Sequence, residues 1–192
     1  MKQVERRKKM TKTLISESLK GLMQKHPFEK ITIKMITDAA GVIRPTFYNY
    51  FCDKYEVLEW IFVDEIVEKV RPMFEQGLYH EGIKMLFTCA RNDGDFYKKA
   101  FEVKGQNSFE TIVHNHLYDL FMDMLKPVYQ QPSTSNQLIS RSLVADHCVI
   151  TLLYLLKSWI SGSLQNFSTD DLVDAYHFLM ENRLSDVMSV DF

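Results

Sequence analysis

FEKITIKMITDAAGVIRPTFYNYFCDKYEVL, residues 28–58, is the stretch of this 192-residue chain that decides its fold. Thr32 can cap a first short helix, and Gly41 can adopt the left-handed conformation that ends it. A second short helix, about residues 44–50, follows directly, and the small residues at the join let the two helices approach closely. The stretch therefore predicts a helix-turn-helix.

The second of these helices has two different sides. On a helical wheel Phe47 and Phe51 fall together, whereas the opposite side carries small or hydrogen-bonding groups. Arg44 can pair with guanine through two hydrogen bonds, and Asn49 can bind adenine in the same way. Such a helix suits the major groove of DNA, because its rings anchor it while its polar side faces the bases. The alternative is an ordinary helical hairpin with a polar outer face.

Hydroxyl and ammonium groups around this helix can contact phosphates. Tyr48, Tyr50 and Thr32 can donate hydroxyl protons, and Lys54 lies at the start of the next helix, where the helix dipole favours an anion. The predicted DNA-binding residues are Thr32, Lys34, Arg44, Pro45, Thr46, Tyr48, Asn49, Tyr50 and Lys54.

The charge of the chain is divided unevenly between its two parts. Residues 1–60 carry twelve Lys or Arg against seven Asp or Glu, whereas residues 61–192 carry eleven against eighteen. A basic part on an acidic body indicates that one end meets a polyanion, although a chance distribution of surface charge would give the same imbalance. A basic arm before the first helix could bind phosphates or simply be solvated; it consists of Arg6, Arg7, Lys8, Lys9 and Lys12.

The string I-T-I-K-x-I-T-x-A-A-G-V-x-R-x-T-F-Y-N-Y-F-x-x-K, residues 31–54, resembles the amino-terminal domain of the TetR family of transcriptional regulators. The resemblance extends over about residues 10–60 and implies that the first three helices bind operator DNA. It places the outward side chains of residues 44–50 in the groove, and it places Thr32 and Lys54 on phosphates.

Two positions depart from the family pattern. Ile43 stands where Ser or Asn often caps the helix, so the cap must come from elsewhere or be absent. Pro45 replaces a common small residue, although proline is well tolerated near a helix start. Both departures bear on the operator sequence that the helix would read.

Two further motifs resemble one branch of this family, the regulators of dihydroxyacetone kinase genes. They are L-x-W-I-F at residues 58–62 and F-Y-x-K-x-F at residues 96–101. Members of that branch can act as activators that recruit a kinase-like coactivator protein, and some relatives respond to metal. The resemblance implies a small-molecule effector or such a coactivator as partner, and it leaves open whether the chain represses or activates.

Helical periodicity continues through the rest of the chain, without an alternating strand pattern. The fourth helix should run from Asp53 to about Val70. Five more helices should cover roughly 79–91, 95–103, 107–126, 137–162 and 169–185. The expected fold class is all-α, with about nine helices in two domains: a DNA-binding domain, 1–55, and an effector-binding and dimerisation domain, 56–192.

The segment Val149–Leu156 is apolar nearly all round its helix, which indicates burial on every side. With the last helix it would form half of a four-helix interface between two copies, although a central helix of a monomer has the same pattern. A dimer is favoured because a major-groove reader needs two half-sites about 34–36 Å apart for useful affinity. The expected interface residues are Leu152, Leu155, Trp159, Leu172, Tyr176 and Leu179.

A zinc site is an alternative to an organic effector. Glu110 and His114 lie one helical turn apart and could face His147 and Cys148 of the next long helix, and this set of O, N and S ligands suits zinc. Isolated histidines beside an apolar stripe are usually core or rim residues, however. No metal and no other cofactor is therefore expected.

Composition and missing motifs exclude several classes of protein. Three widely spaced cysteines without a CxxC pair indicate a reducing cytoplasm, and no uncharged apolar run is long enough for a membrane span. No nucleophile elbow, P-loop, dinucleotide fingerprint or HExxH motif is present, so an enzyme is not expected. The preferred interpretation is a cytoplasmic homodimer on double-stranded operator DNA; a helical protein-interaction module with secondary DNA binding is the alternative.

Overall fold

The computed structural model describes residues 2–127, 129–130 and 138–182. Within these residues the secondary structure is helical and contains no strand, which confirms the all-α fold class. The α-helices are α1 (Lys2–Met23), α2 (Ile33–Ala40), α3 (Arg44–Tyr48), α4 (Lys54–Phe62), α5 (Glu68–Glu75), α6 (Tyr79–Asn92), α7 (Gly94–Phe101), α8 (Phe109–Leu125), α9 (Arg141–Ser161) and α10 (Thr169–Glu181). A π-helical segment, Val63–Val67, joins α4 to α5 without a break, so the described chain has nine separate α-helical rods, as the sequence predicts.

Local hydrogen bonds set the ends of the first short helices. The Thr32 hydroxyl group accepts a hydrogen bond from the Met35 amide at 3.2 Å and caps α2, which ends where Gly41 takes a φ of 65°. Asp53 caps α4 by accepting hydrogen bonds from two amides of its first turn. The sequence predicts the Thr32 and Gly41 caps, and these two define the helix-turn-helix.

Two helix ends differ from the sequence prediction. α3 ends at Tyr48 rather than Tyr50, because the Tyr50 amide donates to the Phe47 carbonyl three residues back and tightens the last turn. The fourth helix does not stop near Val70, since the π segment and α5 continue it to Glu75.

The last two helices have clear caps at their starts. The Ser140 hydroxyl group caps α9, and the expected start at residue 137 lies outside the described residues. Ser168 and Asp171 form a capping box at the start of α10. That helix ends at Glu181, and the extension predicted to residue 185 falls mostly outside the described part of the chain.

The basic residues near the amino terminus belong to α1 and not to an arm that precedes it. Lys9 pairs with Asp64 of the π segment at 2.7 Å. The Lys12 ammonium group lies over the rings of Phe51 and Trp60, 5.1 Å and 5.9 Å from their centroids. The prediction of a separate arm is wrong, because a segment rich in Lys and Arg has good helix propensity and α4 supports it from one side.

Aromatic rings fill the centre of the body. The Phe109 ring lies 5.8 Å from Phe62 and 5.1 Å from Phe101, measured between centroids, and all three side chains are buried. These rings belong to one cluster of buried apolar side chains that extends from α1 to α10. The helix-turn-helix and the body therefore share one continuous core.

α9 is the central packing helix of the body. By length and composition alone it could cross a membrane. It packs instead against α7, α8 and α10 and buries seven side chains against them. Its Lys157 forms an ion pair with Glu110 of α8 at 2.5 Å, and the Asp146 carboxylate lies 3.4 Å from the His114 ring nitrogen.

A partly buried ion cluster joins α1 to the body. The Lys20 ammonium group pairs with the carboxylate of Glu65, in the π segment, and with that of Asp93, directly before α7, at 2.7 Å from the latter. The Tyr97 hydroxyl group donates to the other oxygen of Glu65 at 3.1 Å. Burial alone would lower the pKa of Lys20, but its two carboxylate partners outweigh burial and raise that pKa above its ordinary value. The ammonium group therefore stays charged at neutral pH.

Replacing Lys20 tests the strength of this junction. Lys20→Met should lower the free energy of unfolding by about 1–3 kcal/mol, because two half-exposed carboxylates then share a site without a counter-charge. Urea denaturation at pH 7 measures the loss. Lys9→Met is the matched control: 67% of the Lys9 side chain is exposed and its single ion pair is worth less than about 1 kcal/mol. Equal losses in the two variants would contradict the role given to Lys20.

Candidate nucleic-acid interface

The outer side of α3 is the candidate interface. Phe47 and Phe51 are 0% and 2% exposed, so both rings anchor the helix in the core, which confirms the helical-wheel prediction. Arg44, Pro45 and Asn49 are exposed on the surface. The polar side of α3 is thus turned outward rather than packed into the protein's own interior.

Arg44 and Tyr48 form a pair on this outer side. An Nη atom of Arg44 donates a hydrogen bond to the Tyr48 hydroxyl group at 3.1 Å, and the guanidinium carbon lies 5.5 Å from the centroid of the Tyr48 ring. Because arginine carries five N–H donors, this contact leaves a planar fork that can pair with guanine. The stacked ring limits the conformations of the arginine, so less entropy is lost when it binds.

The other predicted contacts surround this pair. Thr32 and Lys34, at the start of α2, are exposed, whereas Thr46 and Tyr50 are half-buried. The Thr32 oxygen accepts a hydrogen bond from the backbone, so its proton can still be donated to a phosphate. Thr32 and Lys34 are therefore exposed enough to contact the phosphates of DNA.

Lys54 is directed inward, contrary to the phosphate contact predicted for it. Its ammonium group donates to the carbonyl oxygens of Phe28 at 2.6 Å, Ile31 at 2.9 Å and Glu29 at 3.2 Å. It also lies 4.5 Å from the centroid of the Phe28 ring, and burial lowers its pKa. An ammonium group has three protons, and these contacts occupy all of them. Lys54 thus joins the 3-10 turn Phe28–Lys30, which precedes α2, to the start of α4.

Two exposed side chains beside α3 lie outside the predicted set. Ile43 precedes the helix, makes no side-chain cap and is 69% exposed. Cys52 is exposed in the turn that follows, and its amide donates to the Glu56 carboxylate at 2.5 Å. A separate hydrogen bond from the thiol to the Glu56 carboxylate, together with the charge of Glu56, raises the pKa of the Cys52 thiol. The sequence marks these two residues only by their position next to the helix-turn-helix motif.

The four candidate zinc ligands do not come together. Glu110 and His114 are each paired with a side chain of α9. His147 is exposed, whereas the Cys148 thiol is half-buried beside the hydroxyl group of Tyr176. Across the described ranges, no group of three or more His, Cys, Asp or Glu side chains could hold a metal ion. The zinc alternative is wrong for this set, because ion pairs and helix rotation direct its members to different partners.

Five of the six expected interface residues lie in the chain's own core. Their side chains are 0–6% exposed, which leaves a second copy no surface to contact: Leu152, Leu155, Trp159, Leu172 and Tyr176. Leu179 is exposed. The expected set of interface residues is therefore wrong for these five. The sequence of α9 is apolar almost all round, so it does not reveal which side of the helix faces the core. The exposed apolar side chains of α9 and α10 are Leu143, Ile150, Tyr154, Phe178 and Leu179, at 49–66% exposure.

A cavity of about 570 Å³ opens between α8 and α9. Its wall is formed partly by Ile150, Leu153 and Tyr154, and the ion pair between Glu110 and Lys157 also lines it. Small-molecule sites are typically about 300–1,000 Å³, mostly apolar and supplied with a few polar groups. The size and lining of the cavity are therefore within the range of small-molecule sites.

Two family models match this fold. The model described as bacterial regulatory proteins of the tetR family matches residues 17–61, which include the helix-turn-helix. The model described as a transcriptional regulator carboxy-terminal region matches residues 79–174, which is half of the chain. The chain belongs to the TetR family of transcriptional regulators.

Individual relatives of this TetR-family regulator agree with that assignment. The dhaKLM operon transcriptional activator DhaS of Lactococcus lactis is 28% identical over 145 residues, which are 74% of this chain and 78% of that protein. A TetR-family regulator from Syntrophomonas wolfei has a similar fold, with a TM-score of 0.69 at 15% identity over 92% of this chain and 97% of that one. Thermus thermophilus FadR, a repressor solved with lauroyl-CoA, has a TM-score of 0.63 at 19% identity over 90% and 95% of the two chains.

The protein is accordingly a DNA-binding transcriptional regulator of the TetR type and not an enzyme, as the sequence predicts. The match to DhaS also confirms the resemblance to the dihydroxyacetone kinase branch.

A paired comparison of two lysines tests the inward position of Lys54. Lys54→Met should lower the free energy of unfolding by about 1–3 kcal/mol, because backbone carbonyls lose their donor. Lys34→Met should change stability by less than about 0.5 kcal/mol, since Lys34 is exposed, but should reduce the log–log salt slope of DNA binding by about 0.9. Urea denaturation measures the free energy of unfolding, and fluorescence anisotropy on a random-sequence duplex measures the salt slope. A Lys54→Met variant that is as stable as the wild type but has a reduced salt slope would show that Lys54 contacts a phosphate after all.

Proposed function

We propose that this TetR-family regulator is a cytoplasmic homodimer that binds a palindromic operator through α2 and α3 and responds to an effector or partner protein. Residues 1–55 would form its DNA-binding domain and residues 56–192 its effector-binding and dimerisation domain. The observation that carries the proposal is the stacked Arg44–Tyr48 pair on the exposed side of a helix whose Phe47 is completely buried. A helix that is anchored in the core and carries an arginine already held in place suits base recognition in the major groove.

The contacts with DNA are divided between bases and phosphates. Arg44 would pair with guanine and Asn49 with adenine, because both are exposed and each can make two hydrogen bonds to one base edge. Tyr48, Thr32 and Lys34 would hold phosphates, whereas Pro45, Thr46 and Tyr50 would lie against the groove. Lys54 would support the interface from behind rather than touch DNA.

Dimerisation would use the outward sides of α9 and α10. Leu143, Ile150 and Tyr154 recur at helical spacing along the exposed side of α9, and Phe178 and Leu179 are exposed on α10, which packs against it. Neighbouring apolar side chains of this size are unusual on a monomer and typical of an interface. Two such pairs of helices would form a four-helix contact that sets the distance between two copies of α3.

The signal that controls the regulator would enter through the body. Because aromatic rings fill its centre, we place a small-molecule effector in the cavity between α8 and α9. Ile150 and Tyr154 belong both to that cavity and to the proposed dimer face, so an occupant would alter how two copies pair. DhaS is an operon activator, and the likeness to it favours activation through a partner such as a kinase-like coactivator.

Selection of binding sites from a random pool of duplexes tests DNA recognition. The wild-type chain should enrich a palindrome with half-site centres about 10 base pairs, or a multiple of that, apart. Arg44→Ala should weaken binding to that site by about 1–3 kcal/mol and relax preference at one position in each half-site. Lys104→Ala, an exposed position between α7 and α8, is the control and should bind as the wild type does. An unchanged preference in Arg44→Ala would refute its role.

Light scattering coupled to gel filtration tests the dimer face. The wild-type chain should have the mass of two copies, whereas Tyr154→Glu and Ile150→Glu should have the mass of one, because each places a charge in an apolar interface. Leu78→Glu, at an exposed apolar residue of the turn before α6, should remain a dimer. Dimeric Tyr154→Glu and Ile150→Glu variants would show that the copies pair elsewhere.

A further inference from the structure

Ile43 is an exposed apolar side chain at the entrance of α3. Among the large apolar side chains of the described residues, only Leu138 is more exposed than Ile43. Its backbone is extended, with φ −84° and ψ 152°, and it directly precedes Arg44. Ile43 therefore stands beside the guanidinium group that is expected to reach the bases, and the described residues leave 69% of its surface exposed.

The identity of this residue has a cost for the free protein. Ile43 occupies the N-cap position of α3, where Ser, Thr, Asn or Asp would satisfy a free backbone amide. The helices on either side of α3 have such caps, Thr32 and Asp53. Isoleucine gives up that hydrogen bond and exposes an apolar group to water. Neither feature benefits the unbound chain, so the compensation must come from the bound state.

We propose that Ile43 contacts the 5-methyl group of a thymine next to the guanine that Arg44 reads, and that this contact is part of operator specificity. The thymine methyl is the apolar group that base edges present in the major groove. A β-branched side chain such as isoleucine is stiff, so its methyl groups are held in place before binding. Polar phosphates and sugars would gain little from an isoleucine, whereas burying two apolar surfaces against each other is favourable.

This inference rests on the proposed function, since it requires α3 to enter the major groove. It predicts a specific feature of the operator and not only that the chain binds DNA. A guanine–thymine step should occur in each half-site, and affinity should depend on the methyl group of that thymine, not merely on its hydrogen-bonding edge.

Deoxyuridine scanning of the selected operator tests the contact. Replacing a thymidine by deoxyuridine removes the methyl group and keeps every hydrogen-bonding atom. For the wild-type chain, one thymine beside the guanine of each half-site should be sensitive, with a loss of affinity of about fourfold per half-site, equivalent to ~0.8 kcal/mol for one buried methyl-sized group. Fluorescence anisotropy on the two duplexes measures the ratio.

Ile43→Ser is the variant that isolates the side chain. Serine supplies the missing cap, so the variant should unfold at a urea concentration at least as high as the wild type. Its affinity for the thymine operator should fall, and its ratio between the thymine and uracil duplexes at that position should approach one. Leu14→Ser removes an exposed apolar side chain of α1 and should keep the wild-type ratio.

The outcomes separate the two levels of the proposal. If the wild-type chain enriches an operator but no thymine methyl affects affinity, or if Ile43→Ser keeps the fourfold ratio, the role of Ile43 is overturned while the regulator remains. If the wild-type chain enriches no sequence at all, the proposed function fails and this inference fails with it.

Discussion

One ammonium group connects the DNA-reading part of the chain to its body. Lys20 extends from α1 to the carboxylates of Glu65 and Asp93, with the Phe96 ring 5.1 Å away. Burial and the charge of Glu65 hold the pKa of Tyr97 well above its usual range, so its hydroxyl group stays protonated and continues to donate to Glu65. A charge that is largely removed from water is stable only when its partners stay in place. The position of α7 and the position of α1 are therefore coupled.

The π segment explains how one helix can meet α1 at two points. Its wider turns change the direction of successive side chains, and π segments are frequent at functional sites. The consecutive carboxylates Asp64 and Glu65 reach Lys9 and Lys20, which stand about 16 Å apart along α1 at 1.5 Å per residue. The Lys20 cluster is the stronger of these two contacts, and the exposed Lys9–Asp64 pair adds a weaker one. Because α1 also packs on α2, these contacts link the helix-turn-helix to the body.

The local features of the helix-turn-helix could be predicted because they depend on neighbouring residues. A threonine cap, a left-handed glycine and two phenylalanines four residues apart specify α2 and α3 without reference to the rest of the chain. Directions set by tertiary contacts could not be predicted. The charge of Lys54 is visible in the sequence, but the carbonyls that attract it are 23–26 residues away. Likewise, an apolar α9 indicates burial but not which of its sides a second copy could touch, and the proposed zinc ligands depended on distances that spacing does not encode.

The accessible thiol at Cys52 makes the native protein a suitable object for fluorescence. Cys52 is exposed, whereas Cys89 is buried and Cys148 is half-buried, so a maleimide dye reaches Cys52 first, next to the helix that faces DNA. In the proposed dimer, each copy would then carry one dye at an equivalent position. Energy transfer between the two dyes would measure the distance between the two copies of α3 in real time as candidate effectors are added. No engineered cysteine would be needed.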